Sequence, residues 1–237
     1  MNEYKFSFII CTNNELYLSE CMHYINNLDV PEGYEIDVLT VHDAVCMTKG
    51  YNEGMQASDA KYKIYMHQDV FILNRHILYD LLEVFSADEE IGMIGMVGYE
   101  HVSDNAIMWH ERRLGAIYSN NGVYPTLDSY RYSCKDDGFF YAAEVDGLLI
   151  ATCCDIEWDT EHLDGWDFYD AFQSMRFLRG GKKIAVPVQR YPWCMHDDNV
   201  ILNMFNYDKY RQIFIKLYGE YLGLHWKEII LHNDRKL

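Results

Sequence analysis

Short apolar runs alternate with amphipathic stretches along the first hundred residues. Residues 6–11 form an apolar run, followed by Thr12-Asn13-Asn14, whose short polar side chains suit a turn and a helix N-cap. Leu18, Cys21, Met22 and Ile25 then recur at i, i+3, i+4, i+7, the spacing of one helix face. Pro31-Glu32-Gly33 turns the chain into a second predicted strand, residues 35–41, which ends at His42-Asp43. Residues 47–58 read as a short helix weakened by Gly50 and Gly54. A third strand, 62–66, runs into His67-Gln68-Asp69, and Asn74 caps a helix whose apolar face is Ile77, Leu78, Leu81, Val84 and Phe85. Residues 91–97 make a further strand. Repetition of this kind predicts parallel βαβ units with right-handed crossovers, which collect ligands at the carboxyl ends of their strands. Thr12-Asn13, Asp43 and His67-Gln68-Asp69 all fall on that edge.

Periodicity fades afterwards. Residues 98–144, with NNGVYPTLDSYRYSCKDDG among them, read as an irregular elaboration beside the site. A strand over 145–152 leads to Asp164-Gly165-Trp166-Asp167-Phe168-Tyr169-Asp170. That cluster opens a helix with Phe168, Ala171, Phe172, Met175 and Leu178 on one face, stopped at Gly180-Gly181. Strand 183–188 precedes His196-Asp197-Asp198. The tail is predicted helical, with apolar residues on more than one face: Ile201, Met204, Phe205, Ile213, Phe214, Leu217, Tyr221 and Trp226. They fit either a helix packed over its own domain or a homodimer interface.

Composition narrows the partners. The chain has 237 residues, enough for one domain, and no repeat or linker divides it. A formal net charge of −17 argues against a nucleic-acid backbone or an anionic membrane surface as the main partner, and it asks for a bound cation beside any phosphate-bearing substrate. Aromatic residues reach 15%, 20 of them tyrosines, which suits sugar faces as well as core packing. The seven cysteines (Cys11, Cys21, Cys46, Cys134, Cys153, Cys154, Cys194) show no CxxC spacing and read as reduced thiols of a cytoplasmic protein. No apolar stretch approaches the ~20 residues of a membrane span, and no signal segment precedes the first strand.

Three polar clusters carry candidate chemistry. Strand alternation puts His67 and Asp69 on one face, an imidazole–carboxylate pair suited to a divalent cation with open positions. The same residues also fit an aspartate capping the next helix and a histidine bonded to backbone. Asp164, Asp167 and Asp170 recur every third residue. On the first turns of a helix Asp167 and Asp170 share a face, as a general base or as charge complementing the dipole. His196 follows a strand and is placed to reach the edge that holds Asp69.

Taken in order, FSFIICTNN, VHDA and KGYNEGMQASDAKYKIYMHQDVFI, then GMIGMVG, VDGLLIATCC and GWDFYDAFQSMRFLRGGKKIAVP, resemble the family 2 glycosyltransferases of the GT-A fold. More narrowly they are similar to the glycosyltransferase-like branch that includes the streptomycin-biosynthesis StrF-type domain. The resemblance covers about residues 5–200. Asn52, Gly54, Ala57 and Asp69 match its pattern of N-x-G, a small residue, then a strand ending in D-x-D. The chain departs from the pattern twice: His67 stands where the first metal-site carboxylate is usual, and Tyr169-Asp170 stands where Glu-Asp is frequent.

The resemblance implies one α/β GT-A domain over 1–237, a mixed and mainly parallel sheet flanked by helices. Its parts are a nucleotide-binding half (1–98), an acceptor-side half (99–198) and a helical tail (199–237). The donor is a nucleoside-diphosphate sugar, UDP-sugar favoured, contacted by Thr12, Asn13, Asp43, Asn52, His67 and Gln68. Asp69 and His196 ligate Mn²⁺ or Mg²⁺, with His67 assisting directly or from outside the ligand set. Asp170, with Asp167 in reserve, takes the proton of the acceptor hydroxyl in an inverting displacement. Asp146, Gly147 and Trp166 line the acceptor side, and Trp193 is a further stacking candidate. Two alternatives stay open: a GT-A domain that binds sugar nucleotide without turnover, and a metal-dependent phosphohydrolase using His67, Asp69, His196 and Asp197.

Overall fold

The computed structural model describes residues 1–120, 125–129, 138–197 and 204–234. Cys134, Asp198 and Ile201 lie outside them. Strand β1 (Asn2–Thr12) lies between two parallel neighbours, β2 (Glu35–His42) and β3 (Ala60–His67), with Ile9 opposite Leu39 on one side and Tyr65 on the other. Helices α1 (Glu15–Ile25) and α2 (Met47–Ala57) make the crossovers. Asn14 caps α1 through its side chain, which accepts from the amides of Leu16 and Tyr17. Gly50 and Gly54, expected to weaken α2, instead let it approach the sheet. A Cβ on Gly50 would stand 2.4 Å from the Cys11 Sγ, and one on Gly54 2.3 Å from the Ile9 Cγ2.

After β3 the chain makes a short β4 (Val70–Ile72), then α3 (Ile77–Ala87), which buries all five apolar residues expected of it. Asn74 stands before the cap position, where its Oδ1 accepts from the His76 amide and its Nδ2 donates to Asp80. The strand predicted over 91–97 bends into β5 (Ile91–Gly95) and β6 (Val97–Tyr99).

The stretch 98–144 is not irregular. It contributes β7 (Arg113–Asn120), β8 (Pro125–Ser129), β9 (Phe139–Ala142) and the start of β10 (Glu144–Val145). β8, β9 and β10 are two to five residues long and leave no period to read, whereas β7 spans eight and was missed outright. The strand expected over 145–152 is likewise two: β10, a turn at Asp146-Gly147-Leu148, then β11 (Leu149–Thr152). Helix α4 (Tyr169–Arg179) ends at Gly180 and Gly181, the latter at φ +76°, and β12 (Lys183–Pro187) and β13 (Cys194–His196) follow. Helices α5 (Tyr207–Tyr218) and α6 (Trp226–Asp234) close the described chain.

The main sheet has the order β2-β1-β3-β11-β5-β12-β9, with β11 antiparallel between β3 and β5. A second sheet runs β10-β6-β7-β13-β4, with β8 on β7. Alternation along β1 sends Phe8 and Ile10 into one apolar cluster with α1 and α3, and Ile9 and Cys11 into the other with α2 and α4. The tail packs over its own domain: Phe214 and Tyr218 meet Phe172 at centroid distances of 5.5 and 5.4 Å, and Trp226 meets Tyr141 at 4.5 Å. Packing on its own domain therefore accounts for the buried tail residues. Met204, Phe205 and Leu217 stay exposed. No described helix is long and apolar enough to cross a membrane.

Candidate active site

The carboxyl ends of β1 and β3 are clasped by one side chain. Gln68 Oε1 accepts from Thr12 Oγ1 at 2.8 Å and from the amides of Asn13 and Asn14 at 3.0 Å each, while its Nε2 donates to Asn13 Oδ1 at 2.7 Å. Asp43, just past β2, is exposed and sits at φ +55°. Asn52 is engaged elsewhere: its amide donates to the Trp158 carbonyl and accepts from the Trp158 N–H.

Between β3 and β4 the chain turns at His67-Gln68-Asp69, and β13 lies antiparallel to β4 with His196 opposite Val70. The Asp197 amide donates to the Asp69 carbonyl at 2.9 Å and fixes this register. His196 Nε2 thereby stands 3.5 Å from Asp69 Oδ1, and His67 Nδ1 stands 3.5 Å from His196 Nε2 and 3.9 Å from Asp69 Oδ1. Three atoms with those separations are about 2.1 Å from a common centre, the distance at which imidazole and carboxylate hold a divalent ion. Among the described residues this is the one group of three or more His, Cys, Asp or Glu whose ligand atoms lie within 4.8 Å of one another. The donor set therefore fits a metal, and it includes His67 alongside the expected Asp69 and His196. Burial, and then the neighbouring His196, hold the His67 imidazole below its usual pKa, in the neutral form a ligand needs. Burial works against the Asp69 carboxylate, but the hydrogen bond from His196, with the electrostatic pull of the neighbouring imidazoles, outweighs it and keeps its pKa low.

Tyr169 reaches the same cluster. Its hydroxyl hydrogen-bonds His67 Nε2 from the first residue of α4. Asp170, next along, accepts from the Gly147 amide at 2.9 Å and the Ala171 amide at 2.8 Å. Burial and then the Asp146 charge raise its pKa despite those bonds. Asp146 itself accepts from the Leu148 amide. Asp167 was expected to share a helix face with Asp170, but α4 begins at Tyr169, so Asp167 lies ahead of the helix, its pKa raised by burial. Asp164 is exposed and bonded to Tyr210 and Lys209.

His67, His196, Asp146, Asp167, Asp170 and Trp166 open onto one cleft of about 580 Å³. Trp193 lines a different groove, against Tyr79 and Tyr191. The cleft also holds residues that sequence reasoning missed. Trp109 and Tyr207 pack against each other on its wall, their rings tilted at 38° with centroids 4.9 Å apart. Glu144, 2% exposed, has its carboxyl pushed up to about 8 by burial and then by Asp170, and its Oε2 has no hydrogen-bond partner among the described residues. Its place two residues before Asp146 is the one signal by which it could have been found.

Known proteins share this arrangement of elements. The family described as glycosyltransferase-like matches residues 7–218. S. aureus TarS 1–349 in complex with UDP is 14% identical, over 97% of this chain and 70% of that one, with a TM-score of 0.57. The mannosyltransferase PcManGT from Pyrobaculum calidifontis, in complex with GDP-Man and Mn²⁺, is 11% identical over 99% of this chain and 69% of that one, with a TM-score of 0.58. At such identities the likeness is one of fold. The chain spans 60% of another TarS 1–349 structure and 43% of the longer TarS chain. No curated protein matches the sequence.

Proposed function

The chain belongs to the glycosyltransferase-like family, and from that premise we propose that it moves a sugar from a nucleoside-diphosphate sugar to a hydroxyl of a saccharide or small-molecule acceptor, inverting the anomeric centre. The observation that carries the proposal is the meeting of two groups on one cleft: a His67–Asp69–His196 cation site, and Asp170 at the start of α4. Folds similar to this one hold UDP, UDP-GlcNAc and GDP-Man, which supports a sugar nucleotide as donor, UDP-sugar favoured. The resemblance to the StrF-type branch and the division at about residues 98 and 198 belong to the same proposal. So does a cytoplasmic setting, which six unpaired thiols among the described residues suit.

His67, Asp69 and His196 would hold Mn²⁺ or Mg²⁺, which when bound neutralises the charge of a diphosphate leaving group. Everything else falls to side chains of this protein. Asn13 and Asp43, beside the Thr12–Gln68 clasp, flank the nucleoside. Asp146, the Gly147 turn and Trp166 seat the acceptor. Asp170 takes the proton of the attacking hydroxyl at a carboxylate oxygen, on the face of the sugar opposite the leaving group, and one such displacement inverts configuration. The amides of Gly147 and Ala171 aim that carboxylate.

Calorimetric titration with UDP, GDP, dTDP and CDP, each with and without Mn²⁺, tests the donor half. One nucleotide is expected to bind in a manner that needs both the ion and Asp69, so that Asp69→Ala abolishes the Mn²⁺-dependent part. Folded wild type that binds none of the four would end the transferase reading.

A further inference from the structure

The two places where this sequence leaves its family's pattern, His67 and Tyr169, touch each other across 102 residues of chain. Resting on the metal-dependent reading above, we propose that Tyr169 is a positioning residue that holds the His67 imidazole as the third ligand of the cation site, and that the resulting two-nitrogen, one-oxygen set selects Mn²⁺-class ions over Mg²⁺.

A carboxylate in that place offers lone pairs in several directions and needs little orientation. An imidazole offers one, in the plane of its ring, so its side-chain torsions must be fixed by whatever holds its other nitrogen. The Tyr169 hydroxyl bonds Nε2, which leaves Nδ1 facing Asp69 Oδ1 and His196 Nε2 at 3.9 and 3.5 Å.

The surroundings are shaped to keep the hydroxyl there. A Cβ on Gly147 would lie 2.1 Å from the Tyr169 oxygen, so no larger residue fits beneath it. Phe168, at φ +64°, takes a left-handed conformation that a phenylalanine rarely adopts, and this bend delivers Tyr169 into the cleft as the first residue of α4. Behind the ring, Tyr51 and Trp158 stand at centroid distances of 5.8 and 6.0 Å, and Tyr169 is buried. The same helix start that carries Asp170 therefore carries Tyr169 to the far nitrogen of His67.

Selectivity follows from the ligand types. Mg²⁺ prefers an all-oxygen octahedron and gives up water reluctantly, whereas imidazole nitrogen suits transition ions. Replacing a carboxylate by His67 shifts the site away from Mg²⁺.

The test is direct ion binding, read by Mn²⁺ electron paramagnetic resonance and by calorimetry with Mn²⁺ or Mg²⁺, alone and with UDP. The proteins are wild type, Tyr169→Phe, His67→Ala, the double variant and His67→Asp, each checked for cooperative melting. Tyr169→Phe is expected to weaken Mn²⁺ by about 10–100-fold, the usual effect of losing a partner that orients a ligand. In the His67→Ala background the same change is expected to do nothing further, because its effect acts through His67. His67→Asp is expected to narrow the preference for Mn²⁺ over Mg²⁺. Unchanged Mn²⁺ binding in Tyr169→Phe, an equal loss with and without His67, or an unaltered ion preference in His67→Asp would each overturn the proposal. Wild type that binds UDP but neither ion would remove metal dependence from the proposed function as well, and so separates the two failures.

Discussion

As a general base Asp170 must be ionised, yet burial and the neighbouring Asp146 both favour its protonated form. The acid limb of the transfer rate is therefore expected above the ordinary carboxylate value of ~4. Activity should fall as pH drops through that raised value, while Asp170→Asn keeps nucleotide binding and loses about 10²–10⁴ in kcat. A limb near 4, or turnover surviving in Asp170→Asn, would remove the residue from this role. Glu144 gives a second pH signature, in stability. Its folded value of about 8 lies above an unfolded one of ~4.3, so the folded state binds the extra proton across that window. Its contribution is full at low pH and is lost as pH rises toward 8. Thermal melts of Glu144→Gln should lose less stability between pH 5 and pH 8 than wild type. Parallel losses in the two proteins would mean the carboxyl is not held protonated.

At the scale of elements, the glycines of α2 make the sharpest case. On an exposed helix a Gly→Ala change stabilises by about 0.5–1 kcal/mol. Gly54→Ala is expected to do the opposite and cost about 1–3 kcal/mol, because the new methyl meets the fully buried Ile9 at 2.3 Å. Denaturant unfolding measures this, and a variant as stable as wild type would show that α2 can shift away. Residues 50 and 54 are four apart and face β1 together, so the feature was present in the sequence. Propensity alone, however, assigns those glycines the wrong sign. Elements long enough to show a period (β1, α1, β2, α2, β3, α3, α4) were legible to within a few residues. The second sheet was not, since β6, β10 and β13 are two or three residues long and exist only through pairing with distant strands.

Over the whole molecule, the site joins what the chain separates. His67 and Asp69 end one crossover unit, Tyr169 and Asp170 begin a helix a hundred residues later, and His196 arrives on a strand of the other sheet. Each polar cluster could be read from sequence on its own, but the contact between His67 and Tyr169 could not, because no local pattern encodes a meeting across that distance. His67 was already named beside Asp69 as a possible ion ligand, whereas the buried Glu144 was not singled out.

The position of β13 has one more consequence, for the order of events in a molecule's life. His196 lies 129 residues beyond the histidine it joins. The crossovers that join β1 to β3 are local in sequence, so their contacts close short loops and can form early. The chain then carries His67 and Asp69 without their partner until the strand bearing His196 has been made and has paired with β4. On the proposed function, an ion would therefore meet its full ligand set only after the distant parts of the chain have met.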